Sequence, residues 1–111
     1  MQVELFEQHE EDTPVLSVSK ITRQVRKSLE KTFSQVWVRG EVSNLLAHSS
    51  GHRYFLLKDS SAQLKAVFFQ RDALGSTYLP NEGDECLVFG DITVYEPRGE
   101  YQLRVKHMMQ D

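Results

Sequence analysis

Gln35-Val36-Trp37-Val38-Arg39-Gly40-Glu41-Val42-Ser43-Asn44-Leu45-Leu46-Ala47 reads as one long strand with a glycine near its centre. Val36, Val38 and Val42 keep to one parity, the period-two signature of a strand with one buried face. Glycine inside a strand marks a bulge or a sharp bend. A long first strand bent in its middle can serve two sheets. That is what a small closed barrel asks of its first strand.

The chain downstream supplies the other strands. Ser49-Ser50-Gly51 turns into a second strand, His52 to Lys58, with His52 and Tyr54 on one face and Arg53, Phe55 and Leu57 on the other. Asp59-Ser60-Ser61 turns again, and Ala62 to Phe69 forms a third strand with Leu64, Ala66 and Phe68 sharing a face. Gln70 to Tyr78 alternates poorly and leaves a weak strand or a short helix open. Pro80-Asn81-Glu82-Gly83 breaks the chain. Asp84 to Tyr95 is a fourth strand centred on Gly90. Glu96-Pro97-Arg98-Gly99 is a hairpin turn, and Glu100 to His107 is a fifth strand.

Upstream, Ser19 is the expected N-cap of a helix from Lys20 to about Lys31, with Ile21, Val25 and Leu29 as its apolar stripe. Its other faces carry Lys20, Arg23, Arg26, Lys27 and Lys31 against Glu30, which suits a solvated face or one that steers a polyanion. The whole pattern predicts an all-β OB-fold, a five-stranded Greek-key barrel spanning about 35–107, with an added N-terminal α-helix at about 19–31. Phe55, Phe68 and Phe89 are expected inside it. Trp37, out of phase with Val36 and Val38, either caps the barrel beneath the helix or lies on an exposed binding face.

Composition narrows the function. The 111 residues suffice for one domain, 40% apolar and 26% charged. No run approaches the ~18 apolar residues of a membrane span. An acidic N-terminus without an apolar core argues against export, and a lone Cys86 fits a reducing cytoplasm. The net charge of −3 averages two unlike regions. Residues 1–14 read as a flexible acidic arm with five carboxylates and no Lys or Arg, while residues 15–111 carry 13 basic residues against 11 acidic ones. Such an arm is expected to repel phosphates or compete for basic groups. His9, His48, His52 and His107 lack helical metal-ligand spacing, and no phosphate-cradling or nucleophile-elbow motif is present. Glu41 and Asp59 read as surface acids. No catalytic residue, metal or cofactor is expected in this segment.

OB-folds often take oligonucleotides on strands 2 and 3 and the loops joining strands 1–2 and 4–5. Those elements hold His48, Ser50, His52 and Tyr54 at one place and Arg98 and Tyr101 at another. Arg39, Ser50, His52 and Arg98 are the expected phosphate contacts, and Tyr54, Tyr101 or Trp37 the expected stacking rings. Asn44, Lys65, Arg71 and Arg104 complete the candidate set. From Arg39 to Arg71 five basic residues meet two acids, which reads as one electrostatic footprint. Gly51 is expected to admit a sugar–phosphate backbone closely, and His52 to contribute more on acidification toward the ordinary histidine pKa of ~6.5.

Three blocks carry a resemblance: Val36-Trp37-Val38-Arg39-Gly40-Glu41-Val42-Ser43-Asn44, then Ser49 to Asp59, then Tyr95-Glu96-Pro97-Arg98-Gly99-Glu100-Tyr101-Gln102-Leu103. In this order and spacing, and with Leu16-Ser17-Val18-Ser19 ahead of them, they resemble the N-terminal domain of the exodeoxyribonuclease VII large subunit over about residues 15–110. The resemblance implies an OB-fold that binds single-stranded DNA, inside a nuclease that degrades single strands to short oligonucleotides. It also implies catalysis in a later domain of the large subunit and a small subunit docked on a C-terminal helical region, neither within this chain. Two other readings stay open on the residues alone, an RNA-binding OB module of the anticodon-binding kind and a barrel used for protein contacts or oligomerisation.

Overall fold

The computed structural model describes residues 12–111, so the arm assigned to residues 1–14 lies almost wholly outside the described residues. Ser17, in extended backbone at φ −71° and ψ 161°, caps helix α1 (Val18–Thr32) by accepting the Lys20 N–H on Oγ at 3.1 Å. Ser19, the cap expected from the sequence, lies instead within the first turn. A capping hydroxyl must reach the amide three residues on, and it is Ser17 that stands in that relation to Lys20.

Five strands follow: β1 (Val36–Ala47), β2 (Arg53–Lys58), β3 (Gln63–Phe68), β4 (Glu85–Tyr95) and β5 (Glu100–Gln110), with a short helix α2 (Gln70–Leu74) between β3 and β4. β5 continues past His107 because β4 offers it partners as far as the Cys86–Gln110 pair. The strands close in the order β1-β2-β3-β5-β4, antiparallel throughout except for the β3–β5 junction. β1 makes closure possible by changing partner: Val36–Glu41 pairs with β4 and Glu41–Ala47 with β2.

The bulge in β1 is not at Gly40. The register slips between Ser43 and Leu46, where Asn44 takes φ 53° and Glu82 accepts the Asn44 and Leu45 N–H groups at 3.1 and 2.9 Å. A second slip, between Phe89 and Gly90, leaves Lys106 of β5 as the extra residue.

Val42, Phe68, Val88, Leu103 and Val105 are fully buried, each stabilising by about 1.5–3 kcal/mol. Phe55 and Phe68 point inward as expected, but Phe89 does not. Cys86, Val88, Ile92 and Val94 hold the inward parity of β4, so Phe89 faces out, packed on Trp37 and His107 at ring distances of 5.1 and 5.0 Å. Trp37 therefore belongs to an outer patch on β1, β4 and β5. Burial pushes the Cys86 thiol up, away from the reactive thiolate.

α1 buries none of its residues fully and is held chiefly against β4. Phe33 O accepts the Ile92 N–H at 2.9 Å, Thr93 Oγ1 donates to Glu30 at 2.6 Å, and Arg26 pairs with Glu96 at 2.7 Å. The linker bends at Gln35 (φ 55°), whose N–H donates to Asp91 at 2.7 Å. Burial pushes the Asp91 carboxyl up, but that N–H bond and Lys106 outweigh it and hold it below the usual carboxylate range. Asp91→Ala is expected to cost about 1–3 kcal/mol at neutral pH, as for a hydrogen bond to a charged group. A folded pKa below the unfolded one stabilises fully above pH ~4 and is lost as pH falls through the folded value. Urea midpoints of the two proteins should draw together as pH falls below ~4; a gap that widens there refutes the assignment.

Candidate nucleic-acid interface

Cross-strand register assembles a row over the outside of the barrel: Leu46 on β1, Tyr54 on β2, Val67 on β3 and Arg104 on β5. Val67 has the outward parity of β3 yet is only 3% exposed, because its neighbours in the row cover it. His52 and Phe69 extend the face at one end. Their rings meet edge-on at 5.3 Å, His52 meets Tyr54 at 6.5 Å, and the Arg104 guanidinium lies 5.5 Å over Phe69. Rings and cations thus interleave across β2, β3 and β5, the pattern that stacks bases and tracks phosphates.

Two adjoining grooves continue the face. One, of about 420 Å³, is lined by Asn44, Leu46, Tyr54, Leu56, Lys65 and Gln102 among others. The next, of about 380 Å³, shares Leu56 and Lys65 and reaches Gly99, Glu100 and Tyr101 at the hairpin. The β1–β2 loop therefore flanks one end of the face and the β4–β5 hairpin the other. β3 separates them by about 17 Å at ~3.3 Å per residue.

The β1–β2 loop is tied down internally. Ser50 Oγ lies 2.8 Å from His48 Nδ1, which also accepts the Ser50 N–H at 3.1 Å. His52 Nδ1 accepts the Gln70 N–H at 2.9 Å and so caps α2, which puts the neutral ring's proton on Nε2. Gly51 has φ +92°, but a Cβ there meets Gln70 Cγ at 2.8 Å. The space assigned from sequence to a phosphate is occupied by Gln70.

Of the candidate residues, Tyr54, Lys65 and Arg104 lie on the face and Asn44 lines its groove. His48, Ser50 and His52 flank one end with Arg71 nearby on α2, and Arg98 and Tyr101 flank the other. Arg39 does not join them. It points out from the first half of β1, opposite Leu87 of β4, with its Nε 2.7 Å from Asp111. The single footprint read from Arg39 to Arg71 is thus divided by the barrel. Phe69, Leu56 and Gln102 escaped the sequence reading. Phe69 had a signal, since alternation places it opposite to the inward Phe68.

A separate cleft of about 500 Å³ lies between Arg39, Gly40, Glu41, Lys58, Asp59, Ser60 and Glu85. Its three carboxylates outnumber its two cations, and Asp59 is engaged by the Ser61 and Ala62 N–H groups, which hold its pKa below the usual carboxylate range. It is a poor phosphate site. Among the described residues no three His, Cys, Asp or Glu side chains converge on a metal position.

Lys65 on the face is held by Glu100 at 2.5 Å, and that contact keeps the Glu100 carboxyl below its ordinary pKa. Glu100→Gln is expected to release the ammonium and tighten single-stranded nucleic acid binding about two- to fivefold near 50 mM salt. The log–log salt dependence should steepen by about 0.7, one phosphate's worth. Unchanged affinity and slope in an anisotropy titration refute a phosphate role for Lys65.

A family model described as an OB-fold nucleic acid binding domain matches residues 16–109. The exodeoxyribonuclease 7 large subunit of Geobacter sulfurreducens is 46% identical over 94 residues, covering 85% of this chain and 21% of the relative. That of Helicobacter pylori is 53% identical over 90 residues, 80% of this chain and 21% of the relative. The chain thus spans about a fifth of the length of the curated relatives it matches. Among solved structures, the second OB-fold domain of replication protein A from Methanococcus maripaludis aligns with TM-score 0.52 at 14% identity, over 68% of this chain and 82% of that one. Asparaginyl-tRNA synthetase from Pyrococcus horikoshii aligns with TM-score 0.55 at 15% identity, over 79% of this chain and 21% of that one. Closed barrel, added helix, family match and close relatives agree: the chain belongs to the OB-fold nucleic acid-binding domain family, in the form that matches exodeoxyribonuclease 7 large subunits.

Proposed function

We propose that this domain binds single-stranded DNA across the outward face of β2 and β3 and delivers it to a nuclease domain elsewhere in a longer large subunit. The observation that carries this reading is the row Tyr54–Val67–Arg104, with the His52 and Phe69 rings beside it. Ring faces accept any base, and Arg98 and Arg104, joined by Lys65 when Glu100 releases it, meet phosphates without reading base edges, so binding is sequence-tolerant. The relatives' name supports DNA over RNA and implies a small partner subunit. The segment itself binds without cleaving, since among the described residues no three His, Cys, Asp or Glu side chains converge on a metal position and the relatives carry about four-fifths of their length outside the region it matches.

Fluorescence anisotropy of labelled oligothymidine at two salt concentrations tests the reading. Binding should weaken with a log–log slope of about −1.4, two phosphates at ~0.7 each for Arg98 and Arg104 while Glu100 holds Lys65, and the labelled strand should remain intact. Affinity indifferent to salt overturns the phosphate assignment. Tighter binding of matched oligouridine makes this an RNA module instead.

A further inference from the structure

The outer face of β1, β4 and the second half of β5 carries a patch that the nucleic-acid reading leaves unused. Register aligns it in rows: Trp37–Phe89–His107, then Arg39–Leu87–Met109. The three rings of the first row touch, with Trp37 and His107 stacked at 5.7 Å and 24°. Trp37 nevertheless stays 52% exposed and Met109 49%. Apolar surface concentrated in this way marks an interaction site.

The rim decides what kind of partner fits. Glu41, Glu85 and Asp111 stand around it against Arg39 and Lys58. Arg39 is neutralised by Asp111 and Lys58 is paired with Glu41, while Glu85 has no ion-pair partner among the described residues. Such a rim disfavours a polyanion and favours an apolar surface edged by Lys or Arg. The Geobacter sulfurreducens relative carries about four-fifths of its length beyond what this chain covers, so in that protein a large partner is present in the same polypeptide.

We propose that the Trp37–Phe89–His107–Met109 patch is the docking surface for the remainder of the longer polypeptide, through an apolar, basic-edged region of it. Such a contact fixes the barrel's orientation and leaves the β2–β3 face, on the other side, open. Nothing in this requires the β2–β3 face to bind DNA.

Hydroxyl-radical footprinting tests it. This chain alone is compared with the same chain embedded in a full-length polypeptide, its matched residues replacing those of the Geobacter sulfurreducens relative. Oxidation of Trp37 and Met109 should fall at least fivefold in the longer protein, while Tyr54 oxidises equally in both. Equal oxidation of Trp37 and Met109 in the two proteins overturns the proposal. So does protection in the isolated chain, whether on adding oligothymidine, which makes the patch a nucleic-acid surface, or on raising protein concentration, which makes it a contact between copies.

Discussion

Gly90→Ala is expected to unfold the barrel. A Cβ at Gly90 falls 2.0 Å from the Arg104 carbonyl oxygen, 2.9 Å from its carbon and 3.1 Å from Val105 Cα. All three atoms are backbone of β5, so no rotamer change relieves the contact. Admitting the methyl requires β4 and β5 to separate beside the bulge that already distorts them, within a ladder running from Cys86–Gln110 to Tyr95–Glu100. The loss should reach about 4 kcal/mol or more, enough to unfold a barrel near the lower end of the typical 5–15 kcal/mol stability. Trp37, the only tryptophan, reports unfolding in urea. Gly75→Ala is the control: its nearest atom is 3.7 Å away and its φ is −85°, so it should stay within about 0.5 kcal/mol. A Gly90→Ala protein with a near-native urea midpoint refutes the close packing of β4 on β5 at this point.

Tyr54→Ala should weaken single-stranded DNA binding about 5- to 150-fold, the equivalent of ~1–3 kcal/mol for one stacked base. Tyr54 is 39% exposed on the outward parity of β2, between Leu46 and Val67, with the His52 ring edge-on beside it. No other aromatic shares the row. Truncation also uncovers Val67, so binding is compared only after melting shows that the variant folds. Tyr54→Phe keeps the ring and should bind nearly as the native protein does. Trp37→Ala, on the far side of the barrel, should leave affinity unchanged. Lys20, Arg23 and Lys27 changed together to Ala should cost less than Tyr54→Ala at ~0.15 M salt, where exposed charges act only within ~8 Å. If the helix variant or Trp37→Ala loses more affinity than Tyr54→Ala, the binding surface has been misplaced.

The same comparison bears on the loop residues. Ser50 and His48 satisfy each other, and His52 caps α2. Their replacement disturbs the order of the β1–β2 loop as well as any phosphate contact. A Ser50→Ala, His52→Ala protein is therefore a weaker probe of contact than Tyr54→Ala.

Alternation along each strand is a local property, and with it the sequence alone determined the five strands, their turns and the closed barrel. Phe55 and Phe68 could be placed inside on that ground. Phe89 was misplaced by residue type, although the parity of Cys86, Val88 and Ile92 already turned it outward. Other features had no local signal. The bulge moved from Gly40 to Asn44 because Glu82, far along the chain, holds two N–H groups there. Arg39 and Tyr54 are close in sequence but lie on different faces, since β1 exchanges β4 for β2 at Glu41. Arg104 joins Tyr54 only through the parallel β3–β5 junction, and Lys65 is restrained by Glu100 across it. Side-chain parity is settled within a few residues of each position. Which parities meet, and which charges are left free, depends on register between distant segments, and barrel closure alone decides that.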